Sequence, residues 1–155
     1  MCKICVLLAN AILVFGLLIS PANADLDAGL MAYANGDYDT AAREFTLLAE
    51  KGEKAGLYHL GLLYEEGQGV PKRFEEAVRC YTNAAKQGYL DAYFALGEIY
   101  LHLPGGKKDR ISAYIWLEKA AKNGHPRGSE EFFRNTNAMT PEQIGLAESA
   151  ALTTR

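Results

Sequence analysis

Cys80 and His59 are the side chains here that invite a nucleophilic reading, as a thiol and the base that would activate it. Cys80, however, lies in the middle of a helical pattern. It takes the position that Trp116 takes 36 residues later, so a buried structural cysteine is the better account. The three histidines, His59, His102 and His125, are not spaced to share a metal, the chain has no H-x-x-x-H, and its C-x-x-C, Cys2-Lys3-Ile4-Cys5, lies in the leader-like segment read below. It also lacks S-x-x-K, G-x-S-x-G and the phosphate-cradling G-x-x-x-x-G-K-[ST]. Gly67-Gln68-Gly69 is a loop pair with no strand before it, which is the wrong setting for a nucleotide loop. The carboxylate pairs Glu65-Glu66 and Glu130-Glu131 fall at expected solvated helix ends. No residue is singled out as catalytic, cofactor-binding or metal-ligating, and the expectation is a non-enzyme without cofactors.

The chain has 155 residues, with 16 Lys+Arg against 19 Asp+Glu and a formal net charge of −3. Apolar residues make up 49% and charged residues 23%, a globular composition too apolar for a disordered chain. The mild acidity argues against nucleic acid, which requires a concentrated basic patch.

Residues 1–24, MCKICVLLANAILVFGLLISPANA, read as an export leader. Lys3 precedes an apolar run from Ile4 to Ile19, Ser20-Pro21 interrupts it, and Ala22-Asn23-Ala24 offers small residues for cleavage. The run is short for a spanning helix, which prefers about 20 apolar residues. Cleavage after Ala24 would leave 155 − 24 = 131 residues and remove Lys3, giving 15 − 19 = −4. Cys2 and Cys5 would leave too, so Cys80 could form no internal disulfide. The expected destination is the periplasm, followed by secretion, then retention by an uncleaved leader. No membrane insertion is expected after cleavage.

Repetition dominates the remainder. Leu60-Gly61-Leu62-Leu63-Tyr64 falls on Leu96-Gly97-Glu98-Ile99-Tyr100, Ala77 on Ala113, Ala84-Ala85 on Ala120-Ala121 and Gly88 on Gly124, always 36 residues apart. Each unit reads as two helices. The first, helix A, carries Leu57, Leu60, Gly61 and Tyr64, then Tyr93, Leu96, Gly97 and Tyr100, at the i, i+3, i+4, i+7 spacing of one helical stripe. Gly61 and Gly97 disfavour an isolated helix, which makes sense if another helix approaches closely there. The second, helix B, carries Ala77, Tyr81 and Ala84-Ala85, and stops at Gly88.

The segment AGLYHLGLLYEEGQGVPKRFEEAVRCYTNAAKQG resembles a Sel-one-like repeat (SLR), a relative of the tetratricopeptide repeat. The family pattern is met by Leu60, Gly61, Tyr64, Gly67, Gly69, Val70, Ala77, Tyr81, Ala84, Ala85 and Gly88. The second copy departs in its loop, HLPGGKK, and the first has Arg73 where the family often has Asp. The resemblance implies an all-α, right-handed α/α superhelical solenoid of helix-turn-helix repeats.

The expected organisation is a leader at 1–24, a tetratricopeptide-like unit at 25–54, and SLR units at 55–90 and 91–125. A partial repeat helix and a C-terminal capping helix fill 126–155. The first unit is set apart by its turn: Gly29 to Ala41 is 12 residues, against 16 from Gly61 to Ala77. Pro126–Arg134 reads as a lone A helix, with Phe132 and Phe133 where Leu and Gly stood, and 135–139 as a linker. Thr140-Pro141-Glu142-Gln143 is a helix start.

The resemblance also implies a function: a protein–protein interaction module, similar to adaptors of envelope assembly, motility, secretion or host contact. A peptide or protein segment is the expected partner, held on a concave wall of A helices. Leu30, Tyr33, Tyr58, Leu62, Glu65, Phe94, Glu98 and Leu101 are the expected groove residues. Their acidic members favour a neutral or basic segment. Two alternatives remain open. One is a cell-wall hydrolase, since cysteine-rich relatives are linked to penicillin binding, although this chain lacks their paired cysteines. The other is a self-associating structural subunit.

Overall fold

The computed structural model describes residues 21–106 and 108–153. Eight α-helices run through them: α1 Pro21–Ala34, α2 Tyr38–Glu50, α3 Lys54–Glu66, α4 Phe74–Lys86, α5 Leu90–Leu101, α6 Arg110–Lys122, α7 Gly128–Asn137 and α8 Pro141–Thr153. A single 3₁₀ turn, Pro104–Gly106, lies between α5 and α6, and no strand occurs among the described residues. The expected leader lies outside the described residues over 1–20. The expected cut after Ala24 falls in the first turn of α1, and Leu26, Gly29, Ala32 and Tyr33 of that helix pack against its neighbours.

Successive helices pair into hairpins, α1 with α2, α3 with α4, and α5 with α6, and each hairpin packs on the one before. The helix glycines make this close approach possible. A Cβ added at Gly29, Gly61 or Gly97 would stand 2.5, 2.6 or 2.5 Å from Phe45, Tyr81 or Leu117 of the paired helix. One aromatic or leucine per hairpin therefore fills the space a side chain would take, and all three are fully buried. The alanines Ala41, Ala77, Ala84, Ala113 and Ala120 are also fully buried, which lets the helices lie close. Gly52, Gly88 and Gly124, at φ of 79°, 74° and 82°, turn the chain out of each B helix.

The A helices are buried on more than the predicted stripe. Leu63 and Ile99 are fully buried although both lie off it. An A helix touches its own B helix and the preceding one, so two of its faces enter the core. The four-residue difference between units resides in the A–B connection, Asn35–Asp37 against 67–73. In the longer loop a Cβ at Gly69 would fall 2.1 Å from the Tyr38 carbonyl oxygen, so only glycine lets the loop rest on the start of α2.

The C-terminal region differs in part from expectation. α7 runs to Asn137, so 135–137 are helix rather than linker. Asn135 explains the difference. Its Nδ2 donates to the Arg110 carbonyl at 2.9 Å, its Oδ1 accepts from Arg110 Nη1 at 3.2 Å, and it is buried. α8 begins as expected: Thr140 N–H donates to Gln143 Oε1 at 3.0 Å and Gln143 N–H to Thr140 Oγ1 at 3.2 Å, a reciprocal cap. α8 lies on α6, burying Ala147 beside Tyr114 and Met139.

Candidate protein-binding face

Five of the eight expected groove residues remain at least partly accessible on A helices, three of them, Tyr33, Tyr58 and Leu62, while also packing against the core. Leu30 is 36% exposed on α1, and Tyr33 is half-buried, its hydroxyl donating to Glu66 Oε2 of α3 at 3.2 Å. Tyr58 is half-buried among rings, with centroids 5.7 Å from Tyr81 and 5.0 Å from Tyr89. Burial, reinforced by the Asp91 charge, pushes its hydroxyl up to about 12, so it remains a neutral donor. Leu62 is half-buried. Glu65 is not a solvated carboxylate as expected: its Oε2 accepts from the buried Tyr81 hydroxyl at 2.7 Å.

Two expected groove residues are core instead. Phe94 is 6% exposed, with His125 stacked on its ring at 4.3 Å and the Arg127 guanidinium 4.5 Å from its centroid. Leu101 is 9% exposed in the cluster with Ala113, Leu117 and Ala120. The segment leading into α7 covers Phe94, and α6 covers Leu101, so a face partly open on α3 is closed one unit later. The only sequence signal for this was His125-Pro126-Arg127 directly after the stop glycine.

Glu98 is the most unusual member. It lines a polar cleft of about 330 Å³ with His102, Lys108, Arg110 and Arg134. Its Oε1 is buried without a hydrogen-bond partner. Burial first, and the Glu131 charge second, hold its carboxyl above the usual range. Arg134 is engaged by Glu130 at 2.7 Å and Glu131 at 2.6 Å, so Glu131 too is paired rather than free.

Neither of the two side chains that invited a nucleophilic reading is activated for one. Cys80 is 4% exposed, and desolvation pushes its thiol up to about 11, the opposite of what a nucleophile requires. His59 stacks on Phe45 at 4.9 Å, and burial depresses its basicity. Among the described residues no group of three His, Cys, Asp or Glu is placed to hold a metal, and no helix is long and apolar enough to cross a membrane.

Hairpins stacked in chain order, each closed by a glycine against a large side chain, define an α/α solenoid. Residues 54–89 and 90–125 match the Sel1 repeat, so the chain carries two Sel1 repeats and belongs with the Sel1-like repeat proteins. It superposes with a TM-score of 0.76 and 29% identity on a protective antigen of uropathogenic Escherichia coli strains displaying an SLR fold, over 85% of this chain and 29% of that one. It is 30% identical over 112 residues to an exopolysaccharide production negative regulator of Rhizobium leguminosarum bv. viciae, covering 63% of this chain and 42% of the relative. It is 35% identical over 128 residues to protein sel-1 homolog 2 of Rattus norvegicus, covering 80% of this chain and 18% of the relative. The chain thus spans less than half the length of these curated relatives. Sel1 repeats are generally protein-interaction modules.

Proposed function

We propose that this chain is a non-enzymatic adaptor of the bacterial cell envelope that binds a protein or peptide segment along its A-helix face. The observation that carries the reading is the pre-organised row formed by Leu30, Tyr33, Tyr58, Leu62 and Glu65. Side chains of this row are tied to neighbours before any partner arrives, Tyr33 to Glu66 and Glu65 to Tyr81, so binding orders little more. The row mixes apolar anchors with one carboxylate, Glu65, which favours a neutral or basic segment. The envelope setting is supported by the leader-like residues 1–24 and by likeness to an exopolysaccharide regulator and to a bacterial protective antigen.

Affinity capture from envelope extract tests this, with wild type beside a Leu30→Lys/Leu62→Lys variant, whose charges would repel a basic segment. The expected result is a partner enriched by wild type and lost by the variant at unchanged helicity and melting. Recovery of the same proteins by both forms would reject the face. Turnover of a cell-wall substrate by the pure protein, abolished by one polar substitution, would reject the non-enzymatic reading.

A further inference from the structure

α7 is the A helix of a fourth unit that lacks its own B helix. The 36-residue step carries Gly56 to Ala92 to Gly128, and α7 keeps this register. A Cβ at Gly56 would meet Leu48 Cβ at 2.2 Å, and one at Gly128 would meet the Ala121 nitrogen at 2.8 Å, both on the preceding B helix. The same step carries Gly61 to Gly97 to Phe133. Tyr81 overlies the first and Leu117 the second, whereas Phe133 is 62% exposed. α8, which follows where the missing B helix belongs, lies on α6 instead.

What remains is a cleft of about 280 Å³ lined by Glu118, Ala121 and Lys122 of α6 and by Ser129, Phe132 and Phe133 of α7. One unit earlier the equivalent wall includes Ala85, Tyr93, Leu96 and Gly97. There the wall is filled by α6: Leu117 sits on Gly97, and the Trp116 ring lies 6.3 Å from that of Tyr93. The cleft is therefore continuous in register with the interface that closes the preceding hairpin.

We propose that this cleft receives an amphipathic α-helix of a partner protein, seated as a B helix is seated in the earlier units, with a glycine or alanine of that helix over Phe133. A helix is the occupant because the equivalent wall one unit earlier is filled by a helix, α6, through Leu117 and Trp116. A small residue is required because Phe133 fills the volume that Gly61 and Gly97 leave to the opposing side chain. In a second copy of this chain α2, α4 and α6 are each paired with an A helix, so none is free to serve as the B helix; α8, which rests Ala147 on α6 and exposes Leu146 and Leu152, is the self-association outcome of the test below.

The probe is a stapled peptide with the sequence of residues 110–122, the helix that fills the equivalent wall, and the same peptide carrying Leu117→Gly. Stapling is needed because a free helix of this length is marginal in water. Each is titrated by NMR into the full chain. The Leu117→Gly peptide should shift Ala121, Ser129, Phe132 and Phe133 saturably and bind about tenfold tighter than the parent, since the parent leucine collides with Phe133. Phe133→Gly in the protein should reverse that preference, and Phe133→Ala should weaken it without glycine's helix penalty. Absence of saturable shifts, or a preference indifferent to both variants, overturns the proposal. Concentration-dependent self-association that disappears in Phe133→Ala assigns the cleft to a second copy and also overturns it.

Discussion

Gly56→Ala should destabilise the protein although alanine is the better helix former. Gly56 lies in the first turn of α3 and is buried. An added Cβ would stand 2.2 Å from Leu48 Cβ and 3.0 Å from the Ala49 nitrogen and the Leu48 carbonyl carbon. Those atoms belong to or adjoin the α2 backbone, so no side-chain rotation relieves the contact. To restore even a tight 3.4 Å separation, α2 and α3 must part by 3.4 − 2.2 = 1.2 Å. Overpacking of this kind costs about 1–3 kcal/mol, against a propensity gain of at most about 1 kcal/mol. The separation also loosens the fully buried Leu48 and Leu63 nearby, which pushes the cost to the upper end. The net loss should be about 2 kcal/mol, or about 4–8 °C in melting temperature for a chain of this size. Gly145→Ala is the control. Gly145 is also inside a helix, but a Cβ there meets nothing within 4 Å. It should gain up to about 1 kcal/mol. Urea unfolding followed by far-ultraviolet circular dichroism measures both. If Gly56→Ala stabilises as Gly145→Ala does, glycine is not there for close helix approach and the packing argument fails.

Other expectations follow from local structure. Asp109 caps α6, its Oδ1 accepting from Ser112 N–H at 3.0 Å, whereas the equivalent Arg73 offers α4 no side-chain cap. Arg73→Asp should therefore raise stability by about 1 kcal/mol and Asp109→Ala lower it by a similar amount, both read from urea midpoints. His59 and His125 are held below the usual histidine range, mainly by burial, and His125 Nδ1 accepts from Arg127 N–H at 3.3 Å. The unfolded chain then binds protons more readily than the folded one. Their contribution is complete above the unfolded pKa of about 6.5 and is lost as pH falls through the lower folded value. Melting temperature should drop from pH 7.5 to pH 5, and less steeply in His59→Gln/His125→Gln; an unchanged slope refutes the assignment. Cys80 should react with a maleimide only after urea unfolding, and reaction at a free-thiol rate in the native protein would contradict its burial.

The spacing of a few residue types was enough to determine the architecture. A 36-residue recurrence of Gly, Ala and aromatics can satisfy helical periodicity only as paired helices, and a glycine in an apolar stripe makes sense only beneath another helix. The reciprocal cap of Thr140 and Gln143 and the structural nature of Cys80 were legible for the same reason: local backbone chemistry and repeat position fix them. Which faces remain open was not legible. Phe94 and Tyr58 both flank the stripe of an A helix, yet one is closed by His125 and Arg127 and the other is not. Asn135 looked like linker because its partner, Arg110, lies 25 residues away. Exposure belongs to the whole stack. A helix's own pattern says which side is apolar, but only its neighbours in space decide how many sides are covered.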